Sequence, residues 1–156
     1  MESLDRIKGR FPSMLKDVPS TNDNEAVVEL ADKTQLRKIV AEAKKYFDLL
    51  FMLMVVDRPP KTFEMNYVLS SYSKKDLLTI RVNIDRDEAE IDSIAGIFTS
   101  AEWEEREAYD LFGIDFRHHP DQRRILLPED WPGHPLRKDF EVTEEVKNWT
   151  GLDMKF

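Results

Sequence analysis

The sequence predicts an α+β fold, in which a small mixed sheet with packed helices is followed by an extended C-terminal arm. Apolar residues repeat at helical spacing in some segments and alternate with polar residues in others, which indicates both helices and strands. Four of the eight prolines fall after residue 117, where they disfavour helix and central strand alike. We therefore predict an N-terminal segment over residues 1–24, one α+β domain over 25–116 and the arm over 117–156.

Composition limits the classes of function. Hydrophobic residues make up 41% and charged residues 35% of the chain, a balance typical of a water-soluble folded protein. The longest apolar run, residues 49–56, is far shorter than the roughly 20 residues that cross a bilayer as a helix. Because the chain has no cysteine, any iron–sulfur cluster is expected in a partner. The formal net charge of −8 argues against a nucleic-acid ligand.

The first elements follow from turn residues and periodicity. Residues 2–11 favour a short helix that ends at Pro12, and residues 25–31 favour a strand that begins the folded domain. Asp32 is a suitable N-cap for an amphipathic helix. The apolar run within residues 48–56 shows no alternation, which predicts a central strand buried on both faces of the sheet.

Alternation returns in the next segment and then gives way to helical spacing. Residues 65–84 alternate on both sides of a turn at 73–76, which predicts a β-hairpin. Residues 88–112 show helical spacing, so we expect helix there, restarted by Ser100 as an N-cap and ended by Gly113 as a left-handed cap.

The arm carries several large apolar side chains that would be costly to leave in water. These are Leu126, Leu127, Trp131, Leu136 and Phe140. A long segment without regular structure is usually functional or disordered, so we expect the arm to pack on something and to be poorly ordered until a partner binds.

Charged residues of the last predicted helix lie at spacings that bring them onto common faces. Glu102, Arg106 and Asp110 are four residues apart, which predicts ion pairs along a solvated face. Glu107 lies one turn from apolar neighbours on each side, which predicts a buried carboxylate, and such a charge needs a basic partner. We expect that partner to be Arg123 or Arg124, reaching back from the arm.

Two chemical alternatives stay open at this point. A hydrolase could pair Glu105 or Glu107 with His134, because carboxylates in unlike environments acquire different pKa values. A metal site could combine His118, His119 and His134 with nearby acids, although adjacent histidines on an extended chain point in opposite directions. No nucleophilic constellation and no phosphate-binding loop occur in the sequence.

Charge is distributed unevenly along the chain. Residues 85–115 contain eleven acids and only two basic residues, whereas residues 117–139 contain five basic residues against four acids. A proline-rich arm with arginine and tryptophan is typical of a docking segment, because these residues often anchor interfaces.

A long motif now identifies a family resemblance. The runs 103–114, 119–121, 123–126, 128–131 and 133–140 together resemble the signature of the complex I 30 kDa family, the C subunit of NADH:quinone oxidoreductase, which includes the equivalent subunit of archaeal membrane-bound hydrogenases. The structural motif on which the resemblance rests includes Trp103, Glu105, Arg106, Glu107, Asp110 and Gly113.

Two departures from the family pattern bear on the kind of complex. His118 replaces the glycine that usually precedes the His-Pro of the motif, and the chain ends soon after Phe140. Longer tails are typical of the NADH:quinone members of the family. The compact form therefore favours an archaeal membrane-bound hydrogenase or a related ferredoxin-driven complex.

The resemblance implies a non-catalytic subunit in the hydrophilic arm of a respiratory complex, on the cytoplasmic side of the membrane and peripheral to it. Its partners would be the hydrogenase-like large subunit (the D type of complex I) and neighbouring iron–sulfur subunits, which would hold the iron–sulfur clusters and, in hydrogenase versions, nickel–iron. The complex would couple electron transfer to ion translocation. The expected interface residues are Arg123, Arg124, Trp131, His134, Leu136, Arg137 and Lys138. A stand-alone hydrolase and a free adaptor module are the alternatives.

Overall fold

A computed structural model describes residues 2–20, 22 and 24–151. The regular elements, in chain order, are α1 (Glu2–Arg10), β1 (Leu15–Val18), β2 (Glu25–Leu30), α2 (Leu36–Ala43), β3 (Leu49–Arg58), β4 (Thr62–Ser71), β5 (Asp76–Asp85), β6 (Glu90–Asp92), α3 (Ala101–Phe112), β7 (Asp115–Arg117) and α4 (Glu144–Thr150). Among these described residues, no helix is long and apolar enough to cross a bilayer.

Five strands form one mixed sheet in the order β1-β2-β5-β4-β3. All neighbouring strands are antiparallel except β2 and β5, which are parallel, and β6 and β7 form a separate parallel pair. The hairpin of β4 and β5 lies where alternation predicts it. The predicted α+β class with a small mixed sheet and an extended C-terminal region is confirmed.

One face of the sheet is the core. Register places Leu53, Tyr67, Ile80 and Val28 in one row across four strands, and all four are buried. Residues directly opposite in neighbouring strands share a face, so these rows build the apolar layer against which the helices pack.

The N-terminal segment contributes to this same core. Leu4 and Ile7 of α1 are buried in the hydrophobic cluster, and β1 pairs with β2 from Leu15↔Leu30 to Val18↔Val27. Residues before the predicted domain start at residue 25 therefore extend the sheet and cover part of its apolar face.

The prediction that β3 is a central strand was wrong, because β3 is an edge strand of the sheet. A β-bulge between Leu50 and Met52 turns Phe51 outward, and Phe51, Met52 and Met54 are 59%, 40% and 46% exposed. A continuous apolar run cannot distinguish a strand covered on both faces from an edge strand with one apolar face left open.

Helix α3 lies along this edge. Ser100 donates its hydroxyl to the carbonyl of Leu50 at 3.2 Å, and the N–H of Leu53 donates to Glu104 at 3.3 Å. Ser100 thus precedes the helix, but its side chain caps the strand edge instead of the helix. Polar groups of an edge strand need such partners, because they otherwise recruit other chains.

The predicted helix over residues 88–112 was only half right. Residues 90–92 form β6 and only residues 101–112 are α-helical. Ile94 and Phe98 are buried by an isolated turn, in which the N–H of Phe98 donates to the carbonyl of Ile94 at 3.0 Å. One turn reproduces the spacing of a helix without continuing as one.

Candidate functional site

The arm is held to α3 by one buried carboxylate. Asp110 is fully buried, and its Oδ2 accepts the backbone N–H groups of Ile125, Leu126 and Leu127 at 3.0, 2.8 and 2.9 Å. Its Oδ1 accepts Nη1 of Arg124 at 2.8 Å. One guanidinium therefore neutralises the buried charge, and three successive amides stabilise it by hydrogen bonds.

These bonds decide the protonation state of Asp110. Burial alone raises the pKa of a carboxyl, but the N–H of Leu127, the Arg124 guanidinium and the other two amides outweigh it and hold the pKa of Asp110 below its usual range. The carboxylate stays ionised and keeps all four bonds.

Arg124 extends the same connection along the arm. Its Nη2 donates to the carbonyls of Trp131 and Gly133, each at 3.0 Å, while Nη1 donates to Asp110. The guanidinium of this predicted interface residue is thus occupied inside the chain. A planar fork of donors suits this role better than the single ammonium of a lysine.

The predicted burial of Glu107 was wrong. Glu107 and Trp103 are exposed, and the face turned to the core carries Ala101, Glu105 and Ala108 instead. The exposed stripe with Trp103 and Glu107 and the buried stripe with Glu105 both have helical spacing, so the spacing alone cannot distinguish them. Burial of Ala101 and Ala108 shows which of the two stripes packs on the core.

The predicted solvated ion pairs of Glu102, Arg106 and Asp110 do not form. Arg106 is 8% exposed and donates from Nε and Nη2 to the carbonyls of Arg123 and Arg124, at 3.1 and 3.0 Å. It binds backbone of the arm because a segment without regular structure leaves carbonyls that need donors.

Glu105 is the second fully buried carboxylate of α3. It accepts the hydroxyl of Ser93 at 2.5 Å and the N–H of Ile94 at 2.7 Å. Burial raises its pKa to about 7, against the lowering effect of these two bonds. Glu105 therefore fixes the turn that precedes α3.

His119 lies beside Glu105 but is held by backbone. Its Nδ1 accepts the N–H of Asp121 at 3.0 Å, so the ring proton is on Nε2, which donates to the carbonyl of Glu102 at 3.0 Å. The 3.9 Å separation of Nε2 from Glu105 is too long for a hydrogen bond. The side chain is 1% exposed, which keeps substrate away from it.

His134 sits at the opposite end of α3. Its Nδ1 lies 2.9 Å from the carbonyl of Asp110, and its ring covers Gly113, where an added Cβ would meet it at 2.6 Å. Gly113 has φ 73°, as predicted for a left-handed cap. The structure does not bring His134 into contact with Glu105 or Glu107, so the hydrolase pairing is not formed.

The three histidines do not converge either. His118 is exposed, His119 is buried near the start of α3, and His134 covers its end. Within residues 2–20, 22 and 24–151, no group of three or more His, Cys, Asp or Glu residues could hold a metal ion.

A second connection fixes residues 138 and 139 of the arm to the sheet, and sequence reasoning missed it. Asp57 and Arg86 are buried and form a bidentate pair at 2.8 and 3.1 Å. Asp139 accepts from the same guanidinium at 2.5 and 3.0 Å, and the N–H of Lys138 donates to Asp57 at 2.7 Å. The available signal was that Asp57 is the penultimate residue of β3 and Arg86 directly follows β5, the two strands that flank β4.

These contacts shift both pKa values of the buried pair in the expected directions. Hydrogen bonds from Arg86 to Asp57 and then to Asp139 raise the pKa of Arg86. Burial acts to raise the pKa of Asp57, but Arg86 and the Lys138 N–H lower it on balance. Both groups stay charged at neutral pH.

Arg137 completes this second connection. Its Nη2 donates to the carbonyl of Arg86 at 2.8 Å, and its guanidinium lies 5.1 Å from the centre of the Phe63 ring. Of the other expected interface residues, Arg123, Leu136 and Lys138 are exposed, and Trp131 packs edge to face on Trp149 at 4.8 Å.

Between β3 and α3 lies a groove of about 410 Å³ that the sequence did not predict. We call it the β3–α3 groove. Its lining consists of residues 51–55 on the strand, Glu104, Glu107, Ala108 and Phe112 on the helix, and Leu136 on the arm. Apolar side chains and two carboxylates thus share one open surface.

The motif that positions the arm belongs to a known family. The model of the 30 kDa subunit of respiratory-chain NADH dehydrogenase matches residues 26–146. The chain belongs to this family. The resemblance expected from residues 103–140 is therefore confirmed, and the match extends over residues 26–146 of this chain.

Curated relatives of this 30 kDa-type subunit match along most of its length. The NADH-quinone oxidoreductase C subunit of Geotalea uraniireducens is 38% identical over 141 residues, 88% of this chain and 85% of that protein. The C subunit of Moorella thermoacetica is 36% identical over 143 residues, 91% and 95% of the two chains. The C/D subunit of Chromohalobacter salexigens is 41% identical over 103 residues, 60% of this chain but 17% of that protein.

Two solved structures share the fold of the 30 kDa-type subunit. A chain of the membrane-bound sulfane sulfur reductase, an archaeal respiratory membrane complex, superposes with a TM-score of 0.82 over 99% of this chain and 93% of that one, at 22% identity. A trypsin-resistant fragment of Nqo5 superposes with a TM-score of 0.66 over 76% and 98%, at 23% identity.

Proposed function

We propose that the chain is a non-catalytic structural subunit in the hydrophilic arm of a membrane-bound respiratory complex, where it supports the hydrogenase-like large subunit beside the quinone site. Electron transfer coupled to ion translocation belongs to the complex. This chain binds no redox centre, and its association with the cytoplasmic side of the membrane is indirect.

One observation carries the proposal: the charged residues of the family motif hold the arm in place. Arg106 donates to two carbonyls of the arm, and Asp110 accepts three N–H groups of the arm. Asp110 and Arg124 also bind each other. Buried and satisfied groups of this kind support a shape and offer no accessible acid, base or nucleophile to a substrate.

The choice of partner rests on a fused relative. In Chromohalobacter salexigens the matching region is a small part of a longer protein whose name joins the C and D subunits. Two subunits joined in one chain act side by side, which supports a D-type large subunit as the neighbour of the present chain.

Two versions of the complex are each favoured by one observation. The archaeal sulfane sulfur reductase chain matches along 99% of the present chain, which favours a hydrogenase-type or ferredoxin-driven complex. The Moorella C subunit, matched over 95% of its length, favours an NADH:quinone complex. Because that subunit has a similar length to this chain, a short tail no longer argues against an NADH:quinone complex.

Co-purification tests the proposal. The tagged chain is recovered from mildly solubilised membranes, and the proteins that accompany it are identified by mass spectrometry. We expect a large subunit and iron–sulfur subunits. Four nickel-binding cysteines in the large subunit assign the hydrogenase version, and their absence excludes it.

Elemental analysis of the isolated chain provides the matching control. We expect no stoichiometric iron, nickel or zinc. Recovery of the chain alone, with one tightly held metal or with hydrolase activity, would contradict the structural role.

A further inference from the structure

The β3–α3 groove combines apolar exposure with a position beside the family motif. Phe51, Met54 and Leu136 line it and are 59%, 46% and 51% exposed. Phe51 lies at the bulge of β3, Met54 lies in the regular part of β3, and Leu136 lies in the arm. An exposed apolar surface with polar residues at its margin is typical of a protein-binding site.

The groove also holds negative charge that the chain does not neutralise. Glu107 is exposed, and among the described residues it has no hydrogen bond and no ion pair. Glu104 accepts only the N–H of Leu53, at 3.3 Å. The basic residue closest in sequence, Arg106, points to the other side of α3 and is used by the arm carbonyls.

The arginines of the arm have other partners, and the exposed side chain of Lys138 does not line the groove. Arg124 binds Asp110, Arg137 binds the carbonyl of Arg86, and Arg123 binds Asp121 at 3.0 Å. A ligand that covers the apolar strand and carries its own positive charge would therefore complement the groove. Opposite charge at an interface favours the right partner and disfavours an acidic one.

We propose that the β3–α3 groove binds an apolar segment of the large subunit that carries a lysine or arginine, with that cation between Glu104 and Glu107. This inference rests on the proposed function, since it takes the large subunit as the partner. It assigns the contact to the edge strand and α3, whereas the sequence pointed to the arginines of the arm.

Site-specific crosslinking in the assembled complex tests the position. The photo-crosslinker p-benzoylphenylalanine replaces Phe51 in the groove and, as a matched control, Tyr72 at the exposed tip of the β4–β5 hairpin. We expect position 51 to crosslink to the large subunit at a peptide that contains lysine or arginine, in yield well above position 72. Crosslinks to an acidic peptide or to a second copy of this chain, or none above the control, would overturn the proposal.

Charge reversal tests the acids. Glu107→Lys is compared with Glu88→Lys, which makes the same change at an exposed site outside the groove. We expect Glu107→Lys to weaken assembly about tenfold or more, Glu107→Gln to weaken it less, and Glu88→Lys to leave it unchanged. All three should melt like the parent chain, because neither glutamate side chain has a described internal partner.

The outcomes separate the two proposals. If the parent chain recovers no large subunit, the proposed function fails and the groove inference fails with it. If the parent chain assembles and Glu107→Lys assembles as well as Glu88→Lys, the groove inference alone is overturned and the structural role stands.

Discussion

Asp110 and Arg124 form an ion pair at 2.8 Å in which the carboxylate is fully buried and also accepts three backbone N–H groups of the arm. The pair joins the last turn of α3 to residues 124–127 of the arm. Removing one partner of such a pair leaves the other charge buried and uncompensated.

Asp110→Asn should therefore lower the free energy of unfolding by about 3–5 kcal/mol, the range typical of a broken buried ion pair. Chemical denaturation of the isolated chain measures the change. The control is Asp121→Asn, which removes a 3.0 Å pair with the exposed Arg123 and should cost less than about 1 kcal/mol. Equal effects of the two variants would show that the buried pair contributes no more to the free energy of unfolding than the exposed pair.

Glu105 makes stability depend on pH in the opposite direction from most carboxylates. Its folded-state pKa of about 7 exceeds its ordinary value of 4.5, so the folded chain binds the proton more tightly than the unfolded chain. The contribution is complete below pH 4.5 and is lost as the pH rises to about 7, with a total on the order of 3 kcal/mol.

Glu105→Gln should remove this dependence, because its Oε1 can still accept the N–H of Ile94 and its Nε2 can donate to the hydroxyl oxygen of Ser93. Unfolding free energies are measured for parent and variant from pH 4.5 to 8. We expect the difference between them to shift in favour of the variant as the pH rises. A constant difference across this range would show that Glu105 does not titrate there.

The positions of the β4–β5 hairpin and of the end of α3 could be predicted from the sequence. The side of α3 that faces the core could not. Alternation predicted the β4–β5 hairpin, and Gly113 predicted the end of α3, because both signals are local. The stripe that contains Glu107 and the one that contains Glu105 have the same period. Only contact with the sheet separates them, and that contact depends on residues far apart in sequence.

The same limit applies to the arm. Its arginines were expected at an interface because arginine often anchors one. Arg124 and Arg137 bind acceptors 14 and 51 residues away, and no local pattern indicates such pairings. Asp57 and Arg86 were missed for the same reason, since they meet only when β3 and β5 are brought beside β4.

Gly113→Ala should destabilise the chain by more than about 1 kcal/mol, because φ of 73° is strained for alanine and the new Cβ would lie 2.6 Å from the ring of His134. Thermal melting of the isolated chain measures it. Gly9→Ala is the control, since nothing lies within 4 Å of its Cβ position in α1, and it should be neutral or stabilising.

Two arginines of the arm should behave differently when reversed to glutamate. Arg137→Glu removes the donor to the Arg86 carbonyl beside a buried ion pair, so the isolated chain should melt at a lower temperature. Arg123→Glu changes an exposed side chain paired only with Asp121 and should leave melting almost unchanged. Arg123 is thus the cleaner probe of assembly, and unchanged melting of Arg137→Glu would contradict the assigned contact.

Amide hydrogen exchange should divide the arm into two parts in the free chain. The N–H groups of Ile125, Leu126 and Leu127 donate to a buried carboxylate, so they should exchange slowly even without a partner. Glu129 and Asp130 are exposed and their N–H groups should exchange quickly until the complex forms. Asp110→Asn supplies the matched test, because it weakens the acceptor and should speed exchange at 125–127 selectively. Fast exchange at these three positions in the parent chain would mean that the whole arm becomes ordered only on binding, as its prolines alone suggest.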